Sequence, residues 1–127
     1  MKNVEIDFNL YVSDGSNTSF ITNGKYIEFN EFRRINFIEE TEIKADTYID
    51  IHKDKVVLER NGQIYMKMEY ELNKINTVYM KTDFNYELSM DSFTKKLEIG
   101  DDYINIIYQT ETDKEEGLTH NLVVKWK

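Results

Sequence analysis

From Val4 to Val12 an apolar residue recurs at every second position: Val4, Ile6, Phe8, Leu10 and Val12 alternate with Glu5, Asp7, Asn9 and Tyr11. A period of two sends successive side chains to opposite faces of an extended chain, so this segment reads as a strand with one buried face. The same grammar ends the sequence, where Leu118, His120, Leu122, Val124 and Trp126 share a face. Extended runs between them cover Thr18–Phe29, Arg34–Glu40, Thr47–Ile51, Val56–Tyr70, a segment through Val78 and Met80, Tyr86–Ile99 and Tyr103–Thr110. Turn signals separate them at Ser13–Asn17, Asn30-Glu31, Lys53–Lys55, Leu72–Lys74, Asp83–Asn85 and Gly100–Asp102, and Glu111–Gly117 forms an acidic loop. Gly24, inside the second run, marks a bulge or a tight bend. Glu39–Ala45 alone admits a helical turn, too short to be more than a connector.

Short connections favour antiparallel pairing of sequential strands. The first and last strands are both long and strictly alternating, so each removes the other's exposed edge by pairing with it. The expected fold is all-β: a single antiparallel up-and-down (meander) barrel over residues 1–127, with about eight to ten strands and no long helix.

Val56–Tyr70 holds two alternating runs around Asn61-Gly62, a strong hairpin signal. A two-residue loop at Asn61-Gly62 would put Val56 and Leu58 on the face opposite to Ile64, Met66 and Met68. A three-residue loop, Arg60-Asn61-Gly62, pairs Glu59 with Gln63, Leu58 with Ile64 and Val56 with Met66, and gathers the apolar residues on one face. That turn needs Gly62 in the left-handed conformation and moves Arg60 out of the strand to the barrel rim. Later in the chain the apolar phase slips, from Leu88 and Met90 to Phe93, Leu97 and Ile99. One inserted residue near Asp91–Ser92, a β-bulge, accounts for it.

Composition narrows the function classes. The 127 residues carry 24 acidic and 16 basic side chains, a formal charge of −8, with basic residues clustered no further than Arg33-Arg34 and Lys95-Lys96. Nucleic acid and anionic membrane surfaces are therefore not expected partners. Without cysteine there is no disulfide and no thiolate metal site. A charged N-terminus and the lack of a long apolar run lead to a cytoplasmic expectation. Nine Tyr, seven Phe and one Trp suit pleated, half-buried surfaces.

Thr22-Asn23-Gly24-Lys25-Tyr26, Glu39-Glu40-Thr41-Glu42, Val57-Leu58-Glu59-Arg60-Asn61-Gly62 with Met66 and Met68, Tyr79-x-x-Thr82, Tyr108 and His120–Val124 form a set. Through it the chain resembles the YwiB-like family of small bacterial proteins, a domain of unknown function with a calycin-like (lipocalin-like) β-barrel. The family continues its Tyr-x-x-Thr with Pro-Tyr-Gly, whereas Asp83-Phe84-Asn85 follows Thr82 here, so that turn is built differently. The resemblance implies the fold and brings no activity.

The chemistry-bearing residues are few. His120 lies on an apolar face, as an interior histidine or part of a pocket; His52 is expected to be exposed beside a turn. Neighbours on a strand point to opposite sides, so one of Glu39 and Glu40 turns inward and needs a cation, for which Arg60 is the candidate. Arg60 is alternatively a recognition group for an anionic ligand. Tyr26, Tyr70, Tyr79, Tyr86 and Tyr108 either fill the core or wall a cavity. No histidine, cysteine or carboxylate cluster has metal spacing, and no phosphate loop or nucleophile motif occurs, so neither a cofactor nor catalysis is expected.

The reading is a lipocalin-like small-molecule binding protein with Arg60, Glu39, Tyr79, Tyr108 and His120 at its ligand site. The alternative is a protein–protein interaction module acting as a homodimer, with outward apolar residues such as Tyr11, Tyr65 and Val123.

Overall fold

The alternating first segment forms β1 (Lys2–Val12), and nine further strands follow it among the described residues. They are β2 (Asn17–Glu28), β3 (Arg33–Ile38), β4 (Asp46–Ile51), β5 (Lys55–Asn61), β6 (Ile64–Glu71), β7 (Ile75–Thr82), β8 (Glu87–Ile99), β9 (Tyr103–Thr112) and β10 (Glu115–Trp126). The computed structural model describes the whole chain except Glu40, Glu42, Ile43, Asp113 and Lys114, and the side chains of Thr112, Glu115 and Glu116. Each strand pairs antiparallel with its sequence neighbours, and β1 closes the barrel on β10 from Ile6 opposite Trp126 to Val12 opposite His120. The two cleanest alternating segments are thus partners, and the sheet keeps no free edge.

The hairpin between β5 and β6 departs from its expected register. Leu58 faces Met68 rather than Ile64, a slide of four residues, and Arg60 faces Met66. The slide is even, so Val56, Leu58, Met66, Met68 and Tyr70 still share the inner face. Arg60 consequently stays within β5 on that face instead of leaving for the rim. The glycine in the left-handed region is Gly15, with φ of 94°, in the turn between β1 and β2.

The bulge in β8 is present but lies further along. Against β9 the register runs without interruption to Thr94 opposite Tyr108, then shifts before Lys96 opposite Ile107. Lys95 is the inserted residue. Ser92 and Thr94 therefore face inward and are buried, while Phe93 faces out opposite Ile75. Gly24 interrupts no register, lying opposite Val4 and Phe37. A Cβ there would come within 2.5 Å of the Asn36 carbonyl oxygen and of Ile6 Cδ1, so glycine permits close packing rather than a bulge.

The expected acidic loop is largely strand, since Glu111 and Thr112 end β9 and Glu115–Gly117 open β10; Asp113 and Lys114 lie outside the described residues. The helical turn expected over Glu39–Ala45 falls partly on Glu40, Glu42 and Ile43, also outside them. The ends of that connection are joined by the Glu39 amide donating to the Ala45 carbonyl at 3.0 Å.

Packing is concentrated at the end where the chain terminates. Ile6, Ile35, Ile49, Val56, Ile104, Ile106 and Val124 are buried there and through the barrel waist. Trp126 caps them, with the Tyr26 ring at 6.5 Å and the Arg33 guanidinium 5.8 Å above its own. Arg33 is held by donating to the carbonyls of Gly100 at 3.0 Å and Asp101 at 2.9 Å. The β1–β2, β3–β4, β5–β6, β7–β8 and β9–β10 connections gather at the opposite end.

Candidate functional site

At that opposite end the barrel is hollow. A cavity of about 500 Å³ occupies the lumen, walled by inward residues of β1, β2 and β5 to β10 and by Glu39 and Thr41 of the β3–β4 connection. Its walls are chiefly apolar. Phe8 and Leu10 come from β1, while Met66, Met68, Met80 and Met90 contribute four thioether chains from β6, β7 and β8. Methionine has three flexible torsions and a polarizable sulfur, so such a wall adapts to differently shaped contents. Other concavities lie outside the wall, such as a groove between Glu5, Asp7, Ile21, Tyr103 and Lys125.

One polar pole of the cavity sits on β5. Arg60 Nε donates to Glu39 Oε2 at 2.7 Å and an Nη donates to Oε1 at 3.2 Å, a two-point pairing. Glu39 is 4 % exposed and also accepts from the Thr47 hydroxyl at 3.0 Å. Its position just past β3 turns the carboxylate inward, and the even parity of β5 brings Arg60 in to meet it. Thr47 takes part because it shares the inner face of β4 with Ile49 and Ile51.

The other pole lies across the ten-strand ring, four strands away on β9 and five on β10. The His120 ring lies on Tyr108 at 4.6 Å and within 3° of parallel, and its Nε2 is 3.2 Å from the Thr110 hydroxyl. Burial lowers the imidazole's pKa, opposed by the charge of Asp14. Its Nδ1 is buried and has no hydrogen-bond partner among the described residues. Tyr70 also tilts against Tyr108 at 4.7 Å, its hydroxyl donating to Met68 Sδ at 3.2 Å. Burial raises the pKa of both phenols. A neutral imidazole and un-ionised phenols therefore line this side.

Of the five expected site residues, Arg60, Glu39, Tyr108 and His120 line the one cavity. Tyr79 does not. It pairs with Lys67 and Ser89 on the outer face, where its hydroxyl donates to Glu87 at 3.1 Å and its ring meets Tyr65 edge-on. Tyr86 is also outside, 62 % exposed, and Tyr26 belongs to the closed end. His52 is half-buried rather than exposed, stacked on Phe32 at 5.0 Å. The sequence reading missed Thr110 and the methionine wall. Their signal was parity: Thr110 is in phase with Tyr108, and Met80 with Val78.

Among the described residues no three His, Asp or Glu side chains are grouped to hold a metal ion, and no helix is long and apolar enough to cross a membrane. A family model described as Domain of unknown function (DUF1934) matches residues 4–124. The chain belongs to that family. The crystal structure of the ywiB protein from Bacillus subtilis matches 98% of this chain and 90% of its own with a TM-score of 0.84. Sequence identity is 17%, so the likeness shows the fold alone. No curated protein matches the chain. Membership in DUF1934 agrees with the resemblance read from the Glu39–Glu42, Val57–Gly62 and His120–Val124 segments, and it carries no named activity.

Proposed function

We propose that this protein is a lipocalin-like small-molecule binding protein that acts without catalysis. The observation that supports this reading is the apolar hollow of about 500 Å³ inside a closed barrel. Barrels of modest strand number are either filled by side chains or hold one small ligand. Pockets of a few hundred Å³ with apolar walls and a few fixed polar groups are the usual form of small-molecule sites. Here the polar groups are the Arg60–Glu39 pair and the His120–Thr110 pair. They stand on opposite walls, so they suit orientation of a guest better than concerted proton transfer.

Titration with N-phenylnaphthylamine, an uncharged dye that brightens in apolar surroundings, tests the reading. Saturable enhancement at one dye per chain is expected, and Met90→Trp, which narrows the hollow, weakens it while the protein stays folded by circular dichroism. Absence of saturable binding, or undiminished binding by the folded Met90→Trp variant, refutes it.

The homodimer alternative draws support from the β7–β8 hairpin, where Phe84 is 93 % exposed and Tyr86 and Leu88 are exposed beside it. Sedimentation velocity over a range of concentrations decides it: a species of constant monomer mass excludes that role.

A further inference from the structure

Resting on the binding reading, we infer that the cavity selects an uncharged apolar guest and rejects a carboxylate of the same length. Arg60 and Glu39 are the charged side chains among the described residues that line it. They are already joined through two hydrogen bonds, at 2.7 and 3.2 Å, so their charges cancel locally. An anion entering the lumen loses hydration worth several kcal/mol, and only a cation with charge to spare offsets that. To supply one, Arg60 would have to abandon Glu39. The carboxylate left behind is 4 % exposed and would keep the hydrogen bond from the Thr47 hydroxyl, which carries no charge. Removing one member of such a pair is strongly unfavourable, because an uncompensated charge stays buried.

The far wall offers the anion no fixed positive charge. His120, Tyr108, Tyr70 and Thr110 present an imidazole and hydroxyl groups, which can accommodate a dipole but carry no positive charge when neutral. The chain as a whole bears a formal charge of −8, so long-range attraction does not compensate either. The remaining surface, four methionines with Phe8, Leu10, Leu58 and Val78, suits hydrocarbon. The guest is therefore an apolar molecule, neutral, with at most a hydroxyl or similar dipole.

Competition of decanol and decanoate against N-phenylnaphthylamine near neutral pH separates the outcomes. The wild-type protein is expected to bind decanol about tenfold or more tightly than decanoate. Glu39→Gln keeps the side-chain shape and frees the Arg60 charge. It should strengthen decanoate binding about tenfold, so that the preference for decanol over decanoate shrinks or disappears. Equal or tighter binding of decanoate by the wild type overturns the inference, as does a folded E39Q protein with no gain towards decanoate. Should E39Q not fold, the wild-type ratio alone decides. If the dye binds but neither compound displaces it, the inference fails while the binding reading stands. If the dye itself does not bind, the binding reading falls and takes the inference with it.

Discussion

The two ends of the barrel use the same strands for opposite purposes. At the closed end the inward positions carry Ile, Val and Trp126, shapes with few rotamers that interlock. At the open end the same strands continue into Met66, Met68, Met80, Met90, Arg60 and His120, which leave a hollow. Rigid β-branched residues fill space completely only where the surrounding walls converge on them. Flexible methionines line space without closing it. The difference implies that stability resides below and binding capacity above, so substitutions at the two ends should separate stability from guest binding.

The largest effect is expected at the cap. Trp126→Ala removes a buried ring between Tyr26, Arg33 and the core, and should cost about 3–5 kcal/mol in denaturant unfolding. Met80→Ala, at a half-buried position already facing empty space, should cost about 1 kcal/mol, because little new cavity is created. Equal losses at the two positions would show that the open end is as tightly packed as the closed one.

Arg60→Met probes the ionic brace that crosses this division. It leaves the Glu39 carboxylate buried without its cation, for a loss of about 3 kcal/mol near neutral pH. Combining Arg60→Met with Glu39→Gln removes the buried charge as well as its partner and should recover most of the loss. No recovery in the double variant would mean that the cost of Arg60→Met does not come from the Glu39 charge.

Much of this division was legible in the sequence, and the exceptions share a cause. Alternation identifies which residues face inward, and it did so for Val4–Val12, for Leu118–Trp126 and for both arms of Val56–Tyr70. It also indicated that a carboxylate at Glu39 or Glu40 would need Arg60. Parity leaves any even slide undetermined, and the β5–β6 hairpin took a slide of four. That slide kept Val56, Leu58, Met66, Met68 and Tyr70 on the inner face while returning Arg60 to the strand. The bulge in β8 shows the converse limit. Phe93 looked like the first residue of the new phase because it is apolar, yet Ser92 and Thr94 are the inward pair. Small hydroxyl side chains fit where the Leu72–Lys74 turn comes against β8, its Asn73 amide donating to the Thr94 carbonyl at 2.8 Å. Nor could periodicity reveal the hollow, since an inward methionine reads the same whether it fills space or borders it.

The smallest expected effect concerns His120, on the wall opposite Arg60. Burial depresses its pKa in the folded state, so the unfolded chain takes up the proton first as pH falls. Stability linked to this group is fully present above the unfolded value of about 6.5 and is lost as pH drops from there through the lower folded value. His120→Phe preserves the stack on Tyr108 and removes the titration. Comparing denaturant midpoints of the two proteins just above and below that window isolates the group, because carboxylates contribute alike to both. The wild type should lose more stability on acidification than the variant. Identical losses would mean that the imidazole accepts its proton in place, with the open end admitting enough water to solvate a cation. The barrel would then be wet where its walls are apolar, and the preference for an uncharged guest would lose part of its physical basis.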